Sequence, residues 1–177
     1  RVLSRSFLAY FTIGLNILKG HKMAVLIKNS QRSIAIDSRS IARLTNELLT
    51  FSGLPGKDIG ILFVNDRKIT ALNARFFGKQ KPTNVISFSY IDGGLPGEVA
   101  GEVIISVEKA QEEARRSGAH FLERLFALII HGLLHIAGHD HEGAGNQRRR
   151  MRYREKKLLG LIVSHDVYKR MISGRSG

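Results

Sequence analysis

Apolar and polar positions along the chain follow two periods. Phe7–Leu18 is a continuous apolar stretch behind Arg1 and Arg5, followed by Lys19, Gly20, His21 and Lys22. From Met23 the pattern becomes that of a folded domain. Val25–Lys28 suits a short strand, and Ile41, Leu44, Leu48 and Leu49 recur at helical spacing. That spacing predicts a helix capped by Ser38 or Ser40 and running to Leu49. Gly53, Leu54, Pro55 and Gly56 form a turn signal, Ile59–Val64 reads as a buried strand, and Asp66 as the cap of a helix reaching about Phe77. Gly78–Pro82 is a basic loop. In Val85–Tyr90 the faces alternate, with Ile86, Phe88 and Tyr90 on one side and Val85, Ser87 and Ser89 on the other. Residues 92–97 read as a flexible connection and Glu102–Ser106 as a strand. A polar helix, Val107–Ser117, is ended by Gly118.

Phe121–Ala137 is apolar nearly all round, which predicts a buried central helix. Arg148–Lys157 carries seven cations with Tyr153 among them, and continues into Leu158, Leu159, Leu161 and Ile162. Met151 and Leu158 stand seven apart, as on the packed face of an amphipathic helix. After Gly160 the segment His165–Gly177 is expected to fray.

Composition narrows the functional classes. A length of 177 residues with 43% apolar positions fits one domain with one core. The absence of cysteine excludes disulfides, thiolate metal sites and a thiol nucleophile. No apolar run reaches the roughly 18–20 residues of a spanning helix. The net charge of +13 is uneven: residues 1–22 carry four cations and no acid, residues 23–141 carry 14 basic against 12 acidic side chains, and residues 142–177 carry 10 against 3. Charge gathered at both ends favours a polyanionic partner, the other reading being a solvated surface. Residues 1–22 are expected to be an extension outside the domain, with a secretory leader the minority reading. The domain is expected over residues 23–165, with a flexible tail over 166–177.

Four of the seven histidines fall within His131–His141. His131 and His135 are four apart, so their imidazoles share one helical face. Burying both without partners is costly, and a divalent metal satisfies them well. The run HGLLHIAGHDH fits the frame H-x-x-x-H-x-x-G-x-x-H, the zincin-like frame of the metzincin proteases. Gly132 stands where those proteases carry their glutamate base. Three imidazoles, from His131, His135 and His141, leave a coordination position open, as catalytic rather than structural zinc sites do. One or two core histidines bonded to backbone carbonyls would be the plainer reading.

The same run resembles the H-G-x-L-H-x-x-G-[aromatic]-D-H signature of the YbeY-type endoribonucleases, rRNA maturation factors of bacteria. Leu72-Asn73 with the segment Gly78–Phe88 is similar to a second motif of that family, and Gly101-Glu102-Val103-Ile104 to a third, usually G-D-[aliphatic]-x-[IV]. The resemblance covers Met23–His141 and extends into the following helix. It implies an α+β fold with a small mixed β-sheet packed with helices, the central buried helix carrying the His site. It also implies one Zn2+ per chain on His131, His135 and His141, cleavage of single-stranded RNA in 16S rRNA 3′ end maturation and ribosome quality control, and a cytoplasmic location. Partners implied are rRNA and the ribosome or a ribosomal protein, with no membrane and no DNA specificity.

The chain departs from the pattern at three places. His139 replaces the family aromatic, either titrating beside the metal or stacking in its place. Glu102 replaces an aspartate. Phe77 stands where the family has arginine, and Arg75 lies on roughly the opposite side of the helix. Lysine lacks the bidentate fork of arginine, so slow cleavage is expected unless Phe77 is buried and the arginine's role is lost with it. Asp140 either orients a ligand imidazole or caps the turn. Lys79, Lys81, Thr83 and Asn84 are candidates for phosphate contacts, as are Arg148, Arg149, Arg150 and Arg152, the alternative for both groups being solvated surface. A metalloprotease-like hydrolase and a non-catalytic ribosome-associated zinc protein are the competing functions.

Overall fold

A computed structural model describes residues 25–91, 99–139 and 145–174. The apolar stretch of residues 1–22, the connection at 92–97, and Asp140 and His141 lie outside the described residues. Four strands and six helices are present among the described ones: β1 (Val25–Asn29), α1 (Ser38–Phe51), β2 (Asp58–Val64), α2 (Asp66–Phe77), β3 (Val85–Ser89), β4 (Val99–Ser106), α3 (Val107–Ser117), α4 (Phe121–Ile136), α5 (Gly145–Ser164) and α6 (Asp166–Ile172). The class is α+β, as the resemblance implied.

The sheet runs in the order β1-β2-β4-β3. β1, β2 and β4 are parallel, while β3 returns antiparallel along β4, pairing Val85 with Ile105 and Ser89 with Gly101. β3 is thus an edge strand, and its two faces meet different cores. Ile61, Phe63, Val103 and Ile105 join the main core with α1, α4, α5 and α6. Val64, Ile86, Phe88 and Ile104 form a smaller cluster against Ile69, Leu72 and Phe76 of α2. No single helix among the described residues is long and apolar enough to cross a membrane.

Two caps differ from expectation. The α1 cap is Asp37, whose carboxylate accepts from the Ser40 backbone N–H at 3.0 Å. The α2 cap is Asn65, accepting from the Lys68 N–H at 2.9 Å. Asp66, the first helical residue, instead accepts from the Ser106 hydroxyl at 2.5 Å, tying α2 to the end of β4. An oxygen two or three residues before a backbone N–H is what a cap requires, and neighbouring Ser, Asp and Asn residues compete for that role.

The expected fraying after His165 is a correction. α5 continues through Gly160 to Ser164, and His165 caps α6 by accepting from the Val167 N–H at 3.0 Å. Val167 and Tyr168 are buried, and Tyr168 meets Phe126 edge to face at 6.1 Å. Such a ring pair contributes about 0.5–1.5 kcal/mol beyond its burial. Two apolar anchors in a polar segment are a faint sequence signal, and only the core they enter makes the helix worth forming.

Candidate active site

α4 is not uniformly buried. Arg124, Ala127, His131 and His135 recur at steps of three and four and are half-buried, while Leu125, Phe126, Ile129, Ile130, Leu133 and Leu134 are buried. One stripe of the helix is therefore open, and both imidazoles stand on it. Their rings lie 4.5 Å apart between centroids and 73° between planes.

Gly132 explains how the helix sits so close to the sheet. A Cβ at this position would meet Cγ1 and Cγ2 of Val103 at 2.7 and 2.8 Å. The position next to His131 faces β4, so it has no room for the protease-type glutamate. After Ile136 the helix ends at Gly138, whose φ of +82° is a left-handed conformation open to glycine. The Gly138 and His139 backbone N–H groups donate back to the His135 and Leu134 carbonyls at 3.0 and 2.9 Å.

α5 supplies the residue that sequence reasoning missed. The carboxylate of Glu155 lies 2.8 Å from Nδ1 of His131. A carboxylate accepts only, so Nδ1 carries the proton, and in the neutral ring this leaves the lone pair on Nε2, the tautomer a metal ligand needs. The sequence offered Asp140 either for such an orienting role or as a cap of the turn, and Asp140 lies outside the described residues. The available signal was modest: Glu155 is the one acid in the run Arg148–Lys157. His139 meets the guanidinium of Arg154. Partial burial and that neighbouring cation hold its imidazole below the ordinary range.

Between α4, α5 and the start of β3 lies a cavity of about 490 Å³. His131, Glu155, Asn84, Arg124, Arg152 and Lys156 contribute its polar lining, with Val85, Ala127, Leu128 and Leu159 as apolar wall. Arg124 pairs with Glu113 at 2.8 Å, and the Asn84 side-chain amide donates to the same carboxylate group at 2.9 Å. Asn84 is thereby a braced wall residue, with one amide N–H committed to Glu113.

Of the expected RNA contacts, the structure brings Asn84 and Arg152 to this cavity. Lys79 and Lys81 stand exposed on the loop before Thr83, and Arg148, Arg149 and Arg150 are exposed near the start of α5. Arg124 and Lys156 are cavity residues the sequence did not single out. Phe77 is neither buried nor in the cavity: it stacks on Phe88 at the end of α2, while Arg75 lies over the Phe76 ring at 5.5 Å. Glu102, at the family's aspartate position, is buried and accepts from the Tyr90 hydroxyl at 3.0 Å.

The donor chemistry fits a zinc-type ion. Two imidazoles sit on consecutive turns, and one has its tautomer set by a carboxylate. The third ligand expected, His141, lies outside the described residues, and among the described ones no three His, Asp or Glu side chains form a metal-holding group.

The model of the family described as "Endoribonuclease YbeY" matches residues 26–162. The chain belongs to that family. Two curated relatives, both named endoribonuclease YbeY, agree along most of their length. The protein of Syntrophus aciditrophicus is 39% identical over 149 residues, covering 82% of this chain and 93% of that one. The protein of Geobacter sulfurreducens is 37% identical over 144 residues, covering 79% and 96%. The solution structure of TM1509 from Thermotoga maritima superposes with a TM-score of 0.58 at 24% identity, covering 85% of this chain and 93% of that one, a likeness of fold. Membership of the YbeY family makes the chain an enzyme of the hydrolytic nuclease class.

Proposed function

We infer that this chain is a zinc-dependent, single-strand-specific endoribonuclease of the cytoplasm, acting on rRNA at the 16S 3′ end and in ribosome quality control. The observation that carries this reading is His131, paired with His135 on one helical stripe and held by Glu155, in the wall of a cavity also lined by Arg124, Arg152 and Lys156. His131 and His135 would hold the metal with His141. When bound, zinc supplies a Lewis acid beside the scissile phosphodiester.

The chain's own residues do the rest. Arg124, Arg152 and Lys156 draw a phosphodiester backbone into the cavity and offset the charge that develops on its oxygens. Glu155 fixes the His131 ring. Gly132 leaves no base at the protease position, so a peptidase is disfavoured on steric grounds.

The test is to measure bound metal and single-turnover cleavage of single-stranded RNA, with casein in parallel. Wild-type protein should hold about one zinc and cut RNA, leaving casein intact. His131→Ala should lose both metal and cleavage, the latter by at least about 100-fold. Cleavage that survives without metal, or casein hydrolysis, would overturn the reading.

A further inference from the structure

We propose that Phe77 is a stacking platform for one unpaired base of the RNA, at the far end of the path that begins in the cavity. The proposal rests on the RNA reading above and adds to it a contact on the opposite face of β3. Phe77 is the last residue of α2, and its ring lies 14° from parallel to that of Phe88, with centroids 6.3 Å apart. Phe88 is 3% exposed and is met edge to face by Phe76 at 5.4 Å. The place in the core is already filled, so Phe77 lies over it with 50% of its surface in solvent.

A flat ring backed on one side and wet on the other is the surface that unstacked bases seek, and such stacking tolerates any base. The electrostatics select the same partner. Residues 67–91 carry five cations and no acid, which suits a polyanion better than a protein segment of mixed charge. Asn73 donates its side-chain amide to the Lys81 carbonyl at 2.8 Å, tying to α2 the loop that carries exposed Lys79 and Lys81, two and four positions after Phe77. The loop then returns to Asn84, in the cavity wall. At about 3.3 Å per strand residue, Phe88 lies roughly 13 Å along β3 from Asn84, a span of a few nucleotides. β3 is an edge strand, so a strand of RNA can pass from one face to the other around it.

The chain contains no tryptophan, so Phe77→Trp places a single reporter at the platform. Affinity is measured for a short single-stranded RNA and for an abasic oligomer of equal length and charge, using wild type, Phe77→Ala, Phe77→Leu and Phe77→Trp. Leucine keeps apolar cover over Phe88 but has no plane. Phe77→Ala and Phe77→Leu should each weaken RNA binding roughly tenfold and leave abasic binding unchanged. Phe77→Trp should bind like wild type, its emission quenched by RNA and not by the abasic oligomer. Melting temperatures identify any variant that fails to fold; if the alanine variant does, leucine and tryptophan decide. Unchanged RNA affinity in a folded leucine variant, equal loss toward both oligomers, or unmoved emission on RNA binding would each overturn the proposal while leaving the endoribonuclease reading standing. A wild-type protein that neither binds nor cuts RNA would sink both.

Discussion

The two faces of the edge strand β3 are built on opposite plans. On the α4 side half-buried polar groups are tied to one another, His131 to Glu155 and both Asn84 and Arg124 to Glu113, and the exposed Ser89 donates its hydroxyl to the Ile136 carbonyl. On the α2 side the strand rests on an apolar cluster with one buried carboxyl, Glu102, and the cations stand on an exposed loop above it. The first arrangement suits chemistry, which needs groups fixed to within fractions of an ångström. The second suits grip, which needs charge and a flat surface but little order. Position along the sequence hides this contrast, because residues from both sides alternate on one five-residue strand.

The largest effect should come from cutting the tie on the first face. Glu155→Ala removes the acceptor from His131 Nδ1 and should lower zinc affinity by about 10- to 100-fold, read by chelator competition, with cleavage falling in step at limiting metal. Affinity equal to wild type would mean that packing alone orients the ring.

Gly132→Ala probes the close approach that sets this face. The added methyl meets buried Val103 and should cost about 1–3 kcal/mol in chemical denaturation. Pairing it with Val103→Ala should recover part of that loss by making room. Full stability in the single variant would show that α4 can shift away from β4 freely.

The second face should show itself in the pH dependence of stability. Burial raises the Glu102 carboxyl from its ordinary 4.5 to about 7, and the hydrogen bond from Tyr90 offsets only part of this. The folded state then holds a proton that the unfolded chain has released. Its contribution is complete below about 4.5, declines as pH rises, and is gone once pH passes through about 7, a change of roughly 3 kcal/mol. Glu102→Gln should flatten the melting temperature across that window. A slope unchanged by the substitution would place the titration elsewhere.

The smallest effect belongs to the exposed cations. Replacing Arg148, Arg149 and Arg150 with Gln should leave zinc content alone and reduce the salt dependence of RNA binding, by up to about 0.7 per lost contact in the log–log slope for a single strand. An unaltered slope would make the N-terminal turns of α5 solvated surface only.

What the sequence determined was local in origin. Strands and helices followed from periodicity, the α2 and α3 stops from Gly78 and Gly118, and the shared helical face of His131 and His135 from their spacing of four. The YbeY resemblance was also legible, because its motifs are contiguous. Only the tertiary structure decided the rest. Glu155 reaches His131 across 24 positions, and no spacing rule links them. Gly132, read as a missing base, is a contact surface whose requirement comes from Val103 on another element. Val167 and Tyr168 make α6 a helix because the core has room for them, and Phe77 is exposed because Phe88 and Phe76 already fill the place beneath it. In each case the deciding partner is distant in sequence. A chain's local pattern records which faces must be buried, but not which other face will do the burying.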